Sequence, residues 1–268
     1  MAGASQPLPF IPGVEAAGLI DGRRVIINGL GVGTARDGLY CERAAVPYET
    51  LVDAPPAVDD AQAAAVSVVG ITAQRVLDRA EVGSEDLVVV LGASGGVGSV
   101  AVQLAKARGA IVVGVTSAES KVAAIRDLGA DDVLVVSDEP LSSILDRRWS
   151  RRADVVLDPL GGRFTALGVE SLAPFGRHIV LGRSAETHSQ FRSDEFYRKN
   201  AVIIGYGGLA DTAEDKDAAR QAVLERISDG SVRIPIAVEL PLDQAARALE
   251  LLKRHDVAGK IILHPPRS

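Results

Sequence analysis

Val88-Val89-Val90-Leu91 runs directly into Gly92-Ala93-Ser94-Gly95-Gly96-Val97-Gly98, and an amphipathic stretch follows at once. A short aliphatic run, a glycine-rich turn and a helix in that order fit a buried strand that feeds the start of a helix. The turn has the dinucleotide spacing, with alanine in the first glycine position: Ala93, Gly95 and Gly98. Gly95 lets backbone approach a pyrophosphate, and Gly98 lets helix and strand pack closely. Gly96 adds backbone freedom between Ser94 and Val97. The helix start offers unpaired N–H groups and partial positive charge. Alone, such a turn is weak evidence. A strand before it and a helix after it, inside one βαβ unit, make a bound dinucleotide the better reading than an empty glycine turn.

The alternation continues beyond the turn. Aliphatic runs at Leu87–Leu91, Ile111–Val115, Val133–Val136, Asp154–Leu157, His178–Leu181 and Ala201–Ile204 read as strands. Ser99–Arg108 and Glu119–Leu128 read as helices, and Gly109 and Gly129 sit just past them, where a left-handed residue ends a helix most cheaply. Six such strands predict an α/β fold, a Rossmann doubly wound parallel sheet. Apolar residues are 47% of the chain and aromatics only 4%, so its core is built from aliphatic side chains, as suits strands covered on both faces. Residues 1–60 are rich in Gly and Pro and hold strand-like stretches at Arg24–Ile27 and Ala44–Val46, which predict a smaller β-rich lobe. Asp59–Ala80 reads as helical with a break near Gly70. Helical Leu242–Arg254 and a strand at Lys260–Leu263 close the sequence. The expected division is 61–232 for the dinucleotide-binding domain, and 1–60 with 233–268 for the second lobe.

The dinucleotide type is read at the end of the second strand. An NAD-selective site places a carboxylate about 20 residues beyond the glycines, on the ribose 2′-hydroxyl. Here Thr116 and Ser117 stand instead, with Lys121 close behind. Hydroxyls and an ammonium suit a 2′-phosphate, so NADPH is expected; a solvated helix position is the other reading of Lys121.

Several classes fall away. A net charge of −6 argues against a general nucleic-acid or anionic-membrane surface. No apolar run approaches the roughly 20 residues of a membrane span, and the N-terminus lacks a signal-peptide pattern. A cytoplasmic setting is expected. Cys41 is the single cysteine, with a core-packing role expected, and His178, His188, His255 and His264 are scattered, so no zinc site is expected. No His–Asp pair suggests itself beside Ser94, which makes acyl transfer a poor reading. Tyr40, Tyr48 and Tyr206 are candidate proton donors; Tyr206, at the end of the sixth strand, is best placed, with water as its equal. Arg147-Arg148-Trp149-Ser150-Arg151-Arg152 reads as a solvated surface turn in preference to a phosphate-binding patch. Asp158-Pro159-Leu160-Gly161-Gly162 follows the fourth strand at the end where such sheets bind ligands, and reads as a cofactor-cleft loop.

With these motifs in place the chain resembles the medium-chain dehydrogenase/reductase superfamily, in its zinc-free branch of quinone oxidoreductases and enoyl or acrylyl-CoA reductases. The resemblance rests on Phe10–Gly18, Asp37–Glu42, Gly70-Ile71-Thr72-Ala73, the glycine-rich turn with Leu104-Ala105-Lys106, and Gly259–Leu263. It implies a GroES-like catalytic lobe, here truncated at its N-terminal side, beside the Rossmann domain. It also implies hydride transfer to a conjugated C=C–C=O of a small molecule, and a homodimer through the sheet edge near Ala201–Ile204. Thr72 is implied near the nicotinamide, with Gly182-Arg183-Ser184 and Tyr206-Gly207-Gly208 beside it. In the stretch Leu134-Val135-Val136-Ser137 many members carry a tyrosine near the cofactor phosphate, so a weaker grip on NADPH is implied. The shortened lobe leaves a second expectation: an NADPH-binding homologue with little reductase activity, serving as a redox sensor, a partner subunit or a nonredox cyclase.

Overall fold

The computed structural model describes residues 8–254 and 257–266. In chain order, strands β1 (Glu15–Ile20), β2 (Arg23–Asn28) and β3 (Leu51–Asp53) precede the long helix α1 (Asp60–Arg79). Strand and helix then alternate: β4 (Leu87–Leu91), α2 (Gly96–Ala107), β5 (Ile111–Thr116), α3 (Val122–Arg126), β6 (Asp132–Val135) and α4 (Leu141–Trp149). The alternation runs on through β7 (Ala153–Asp158), α5 (Arg163–Ser171), β8 (Leu172–Val180), α6 (Ser193–Arg198) and β9 (Val202–Gly205). Last come α7 (Ala213–Ser228), β10 (Ile236–Pro241), α8 (Ala245–Lys253) and β11 (Lys260–His264). The chain divides into two compact units, Thr72–Ala219 on one side and Met1–Ile71 with Arg220–Ser268 on the other.

The first unit carries a six-stranded parallel sheet in the order β6-β5-β4-β7-β8-β9. Its chain path starts at β4, steps outward to β6, returns beside β4 as β7 and steps out the other way, which is the doubly wound order. All five residues of β4 are buried, as the unbroken aliphatic run predicts. Every predicted strand here is found, with ends moved by a few residues; β8 begins earlier, at Leu172. Gly109 and Gly129 have φ of +83° and +96°, the left-handed geometry expected at helix ends.

The second unit holds a three-stranded antiparallel sheet, β1-β2-β3, and the parallel pair β10-β11. Glu15 on β1 ties three elements together: its carboxylate meets Lys260 Nζ at 2.6 Å and accepts the Val68 N–H of α1 at 2.7 Å. Burial pushes the Glu15 carboxyl up, and the Lys260 ammonium opposes that shift.

Two sequence expectations fail. Helix α1 runs unbroken through Gly70. The glycine serves close packing instead, since a Cβ there would lie 3.0 Å from Val66 Cγ2 and 3.1 Å from Val223 Cγ1 on α7. Ala44–Val46 forms no strand; it is irregular chain leading into a 3₁₀ turn at Tyr48–Thr50. No ladder partner is present there to stabilise an extended stretch.

Candidate cofactor site

The glycine-rich turn joins β4 to α2 and sits at the C-terminal end of the parallel sheet. Gly92 starts it with φ +62°, Gly95 N–H bonds to Gly92 O at 2.9 Å, and Gly95 is the residue preceding α2. No side chain caps α2 there, so the N–H groups of its first turn are left for a ligand. Gly98 admits no side chain: a Cβ would stand 2.4 Å from Gly92 O and 2.9 Å from Ala93 Cα. Ala93 in the first glycine position is accommodated by β5. A Cβ on Gly114 would fall 3.1 Å from Ala93 Cβ and 2.7 Å from Ile125 Cγ2, so glycine has moved from the turn to the neighbouring strand. Ala93 is fully buried and its N–H bonds to Val115 O at 3.0 Å; Ser94, Gly96 and Val97 are half-buried and Gly95 is exposed.

Gly92–Gly96 also spells Gly-x-Ser-x-Gly, the pattern of a serine nucleophile turn. Among the described residues no histidine bonds Ser94, so the base that such a nucleophile needs is not there.

At the end of β5, Thr116 is 2% exposed and its Oγ1 is buried without a hydrogen-bond partner. Ser117 beside it is exposed. Lys121 ends the 3₁₀ turn Glu119–Lys121 and is only 9% exposed, so its reading as a solvated helix lysine is set aside. A turn closed to a Cβ at Gly98, an uncapped helix start and an unpaired buried hydroxyl all fit a dinucleotide phosphate chain and ribose.

Two further loops stand beside the turn. Pro159 and Leu160 follow β7, and a Cβ at Gly92 would touch Leu160 Cδ2 at 3.4 Å and Pro159 Cγ at 3.5 Å. The segment after β8 lies on the same loop. Ser184 N–H and Oγ both donate to Pro159 O, at 3.2 and 3.0 Å, and a Cβ at Gly182 would come within 2.4 Å of that oxygen. Arg183 lies between them and is exposed. The turn, Asp158–Gly162 and Gly182–Ser184 are therefore brought together by neighbouring strands β4, β7 and β8.

Tyr206 follows β9, and its N–H bonds to Val180 O at 2.8 Å. Its hydroxyl donates to Asp211 Oδ2 at 2.7 Å and the residue is buried. Burial, reinforced by the Asp211 carboxylate, pushes the phenol well above its usual range. Asp211 also accepts from Arg75 and Arg79, and the Arg75 guanidinium foremost holds its carboxyl down at about 2 despite burial. Gly207 is exposed in the same loop, and Thr72 is half-buried on α1. Tyr48 is exposed on its 3₁₀ turn. Tyr40 is half-buried, against Gly13: a Cβ on that glycine would meet its ring at 2.6 Å.

Three sequence readings change. Arg147 and Arg148 belong to α4, and the arginines of that cluster bond carboxylates: Arg147 to Glu139, Arg148 to Asp132, Arg151 to Asp154 and Arg152 to Asp146. The stretch is thus an ion-paired helix end, not a simple solvated turn. Cys41 is only half-buried, with Sγ 3.6 Å from Gly38 O, and does not belong to the core. His178, read as one of several scattered histidines, is fully buried against Asp158. Its signal was Gly168 on α5: a Cβ there would stand 2.2 Å from His178 Cε1, so this helix is built around the ring. His255 lies outside the described residues. Among the described residues no group of three His, Cys, Asp or Glu side chains is arranged to hold a metal ion, and no helix is long and apolar enough to cross a membrane.

Residues 96–227 match the family described as zinc-binding dehydrogenase. An acryloyl-coenzyme A reductase of Metallosphaera sedula is 34% identical over 235 residues, covering 87% of this chain and 67% of the relative. A quinone oxidoreductase of Pseudomonas aeruginosa is 28% identical over 273 residues, covering 97% of this chain and 84% of the relative. The crystal structure of the Thermus thermophilus quinone oxidoreductase, described also in complex with NADPH, superposes with a TM-score of 0.83 at 28% identity, over 96% of this chain and 81% of that one. The nicotinamide-type turn, the doubly wound sheet and these relatives agree: the chain is an oxidoreductase of the medium-chain dehydrogenase/reductase superfamily, in its zinc-free branch.

Proposed function

We propose that the chain is an NADPH-dependent, metal-free reductase of an activated C=C bond in a quinone, an enone or an enoyl thioester. The end of β5 carries the choice of NADPH. A buried, unpaired Thr116 hydroxyl, exposed Ser117 and Lys121 stand where an NAD-selective site has a carboxylate, and these groups suit a 2′-phosphate. The helix start within Ala93-Ser94-Gly95-Gly96-Val97-Gly98 holds the pyrophosphate. Gly182-Arg183-Ser184, Gly207 and Thr72 serve the nicotinamide end. Bound there, the dinucleotide would supply the hydride for the β-carbon of the conjugated system, and a proton at the α-carbon would complete the reduction. Tyr206 is not assigned as that proton's source, because its hydrogen is committed to Asp211; water takes the role. The single cysteine and dispersed histidines suit conjugate reduction, which asks for less carbonyl activation than alcohol oxidation. The names of the acryloyl-coenzyme A reductase and quinone oxidoreductase relatives support this substrate class.

The test is NADPH consumption with 1,4-benzoquinone, crotonyl-CoA and simple enones, next to calorimetric binding of NADPH and NADH. Turnover with one of these acceptors and tighter binding of NADPH are expected. Tight NADPH binding without any turnover would instead favour the non-catalytic homologue, and preference for NADH would overturn the 2′-phosphate assignment.

A further inference from the structure

The carboxylate of Asp158 ends β7 inside the protein with no exposed surface. Oδ1 accepts the N–H groups of Leu160 and Gly161, each at 2.9 Å. Oδ2 accepts the Thr165 hydroxyl at 2.6 Å and faces His178 Nε2 at 3.2 Å. Burial works to raise this carboxyl, yet the donors around it hold it below its usual value. Charge buried so deeply is tolerated only with such a full set of donors.

What the carboxylate fixes is the conformation of the Pro159–Gly162 loop. Gly161 and Gly162 take φ of +74° and +59°, a turn that two consecutive N–H bonds to one side chain stabilise. That loop supports two walls of the proposed site at once. Leu160 and Pro159 back Gly92 at the base of the glycine-rich turn. On the other side Pro159 O receives both donors of Ser184, and Leu160 O receives Ala185 N–H at 2.9 Å and Glu186 N–H at 3.2 Å. The 2′-phosphate group of residues, Thr116 to Lys121, lies across the sheet on the β5 side of β4, and none of these bonds reaches it.

We propose that Asp158, seated on His178 and Thr165, is a positioning residue that fixes the nicotinamide half of the site and leaves the 2′-phosphate end of the adenosine half outside its reach. The inference rests on the NADPH-binding reading above. Asp158 acts through the loop that it holds.

Calorimetry of the full chain with NADPH and with adenosine 2′,5′-bisphosphate, which lacks the nicotinamide half, tests it. Asp158→Ala is expected to weaken NADPH about tenfold and to change the bisphosphate affinity less than about twofold. Thr165→Val, which keeps side-chain shape, is expected to give the same pattern at about threefold. Asp158→Asn keeps an acceptor for the two loop N–H groups and is expected to recover most of the NADPH affinity. Equal weakening of both ligands, or no weakening of NADPH in either variant, overturns the proposal. Should Asp158→Ala fail to fold, the Thr165→Val result decides alone. Unaltered chain that binds neither ligand would instead sink the NADPH reading itself, so the two failures are told apart.

Discussion

Asp211 receives Arg75, Arg79 and Tyr206 while its own side chain is 1% exposed, so it behaves as a buried ion pair and not as a surface one. With a folded value near 2 against 3.8 as reference, its contribution is fully present above about pH 4 and is lost as pH falls towards 2. The contribution is on the order of 1–2 kcal/mol. Urea unfolding of the unaltered chain and Asp211→Asn should show a gap at about pH 6 that narrows by about pH 3. Tyr206→Phe removes one hydrogen bond to that carboxylate and is expected to cost about 1–2 kcal/mol of stability, with kcat changed by less than about twofold. A hundredfold fall in kcat would restore Tyr206 as the proton donor. Gly98→Ala meets backbone, not a yielding side chain, at 2.4 Å, so NADPH affinity measured by calorimetry should fall by more than about tenfold. Gly98 is legible in the sequence, because its spacing alone marks it. Asp211 is not, because its two arginine partners lie on α1, more than a hundred positions away in the chain.

At the scale of elements, the sequence reads β4, the turn and α2 well because strand, turn and helix start are all local signals. Gly70 shows where local signals mislead: glycine lowers helix propensity by about 1 kcal/mol, yet packing against Val223 keeps α1 continuous through it. Helix α7 is hard to read because only Ala219, Arg220, Val223 and Leu224 are buried along its length, which leaves a weak apolar stripe. The end of β5 gives the prediction proper to this scale. Ser117→Asp sets a carboxylate where a 2′-phosphate is proposed, so NADPH binding should weaken by at least about tenfold and NADH binding should change little. Equal loss of both cofactors in the same titrations would mean that this strand end does not read the 2′ position.

For the whole molecule, β9 is an outer strand of the six-stranded sheet and Val202 on it is 47% exposed. An uncovered parallel edge with an apolar residue invites pairing, and a homodimer through this edge is proposed. Analytical ultracentrifugation should find a dimer that Val202→Lys shifts to monomer; a monomer at all concentrations would reject it. The sequence by itself determined the doubly wound sheet, the glycine-rich turn with its alanine, and the hydroxyls of Thr116 and Ser117 at the end of β5, because each is written in residues close together in the chain. Only the tertiary structure decided that Gly114 makes room for Ala93, that His178 and Thr165 converge on Asp158, and that Tyr206 gives its hydrogen to Asp211. Near or far in the chain, those meetings depend on which side chains the fold turns towards one another in its buried interior, where burial and donor count set the charge state.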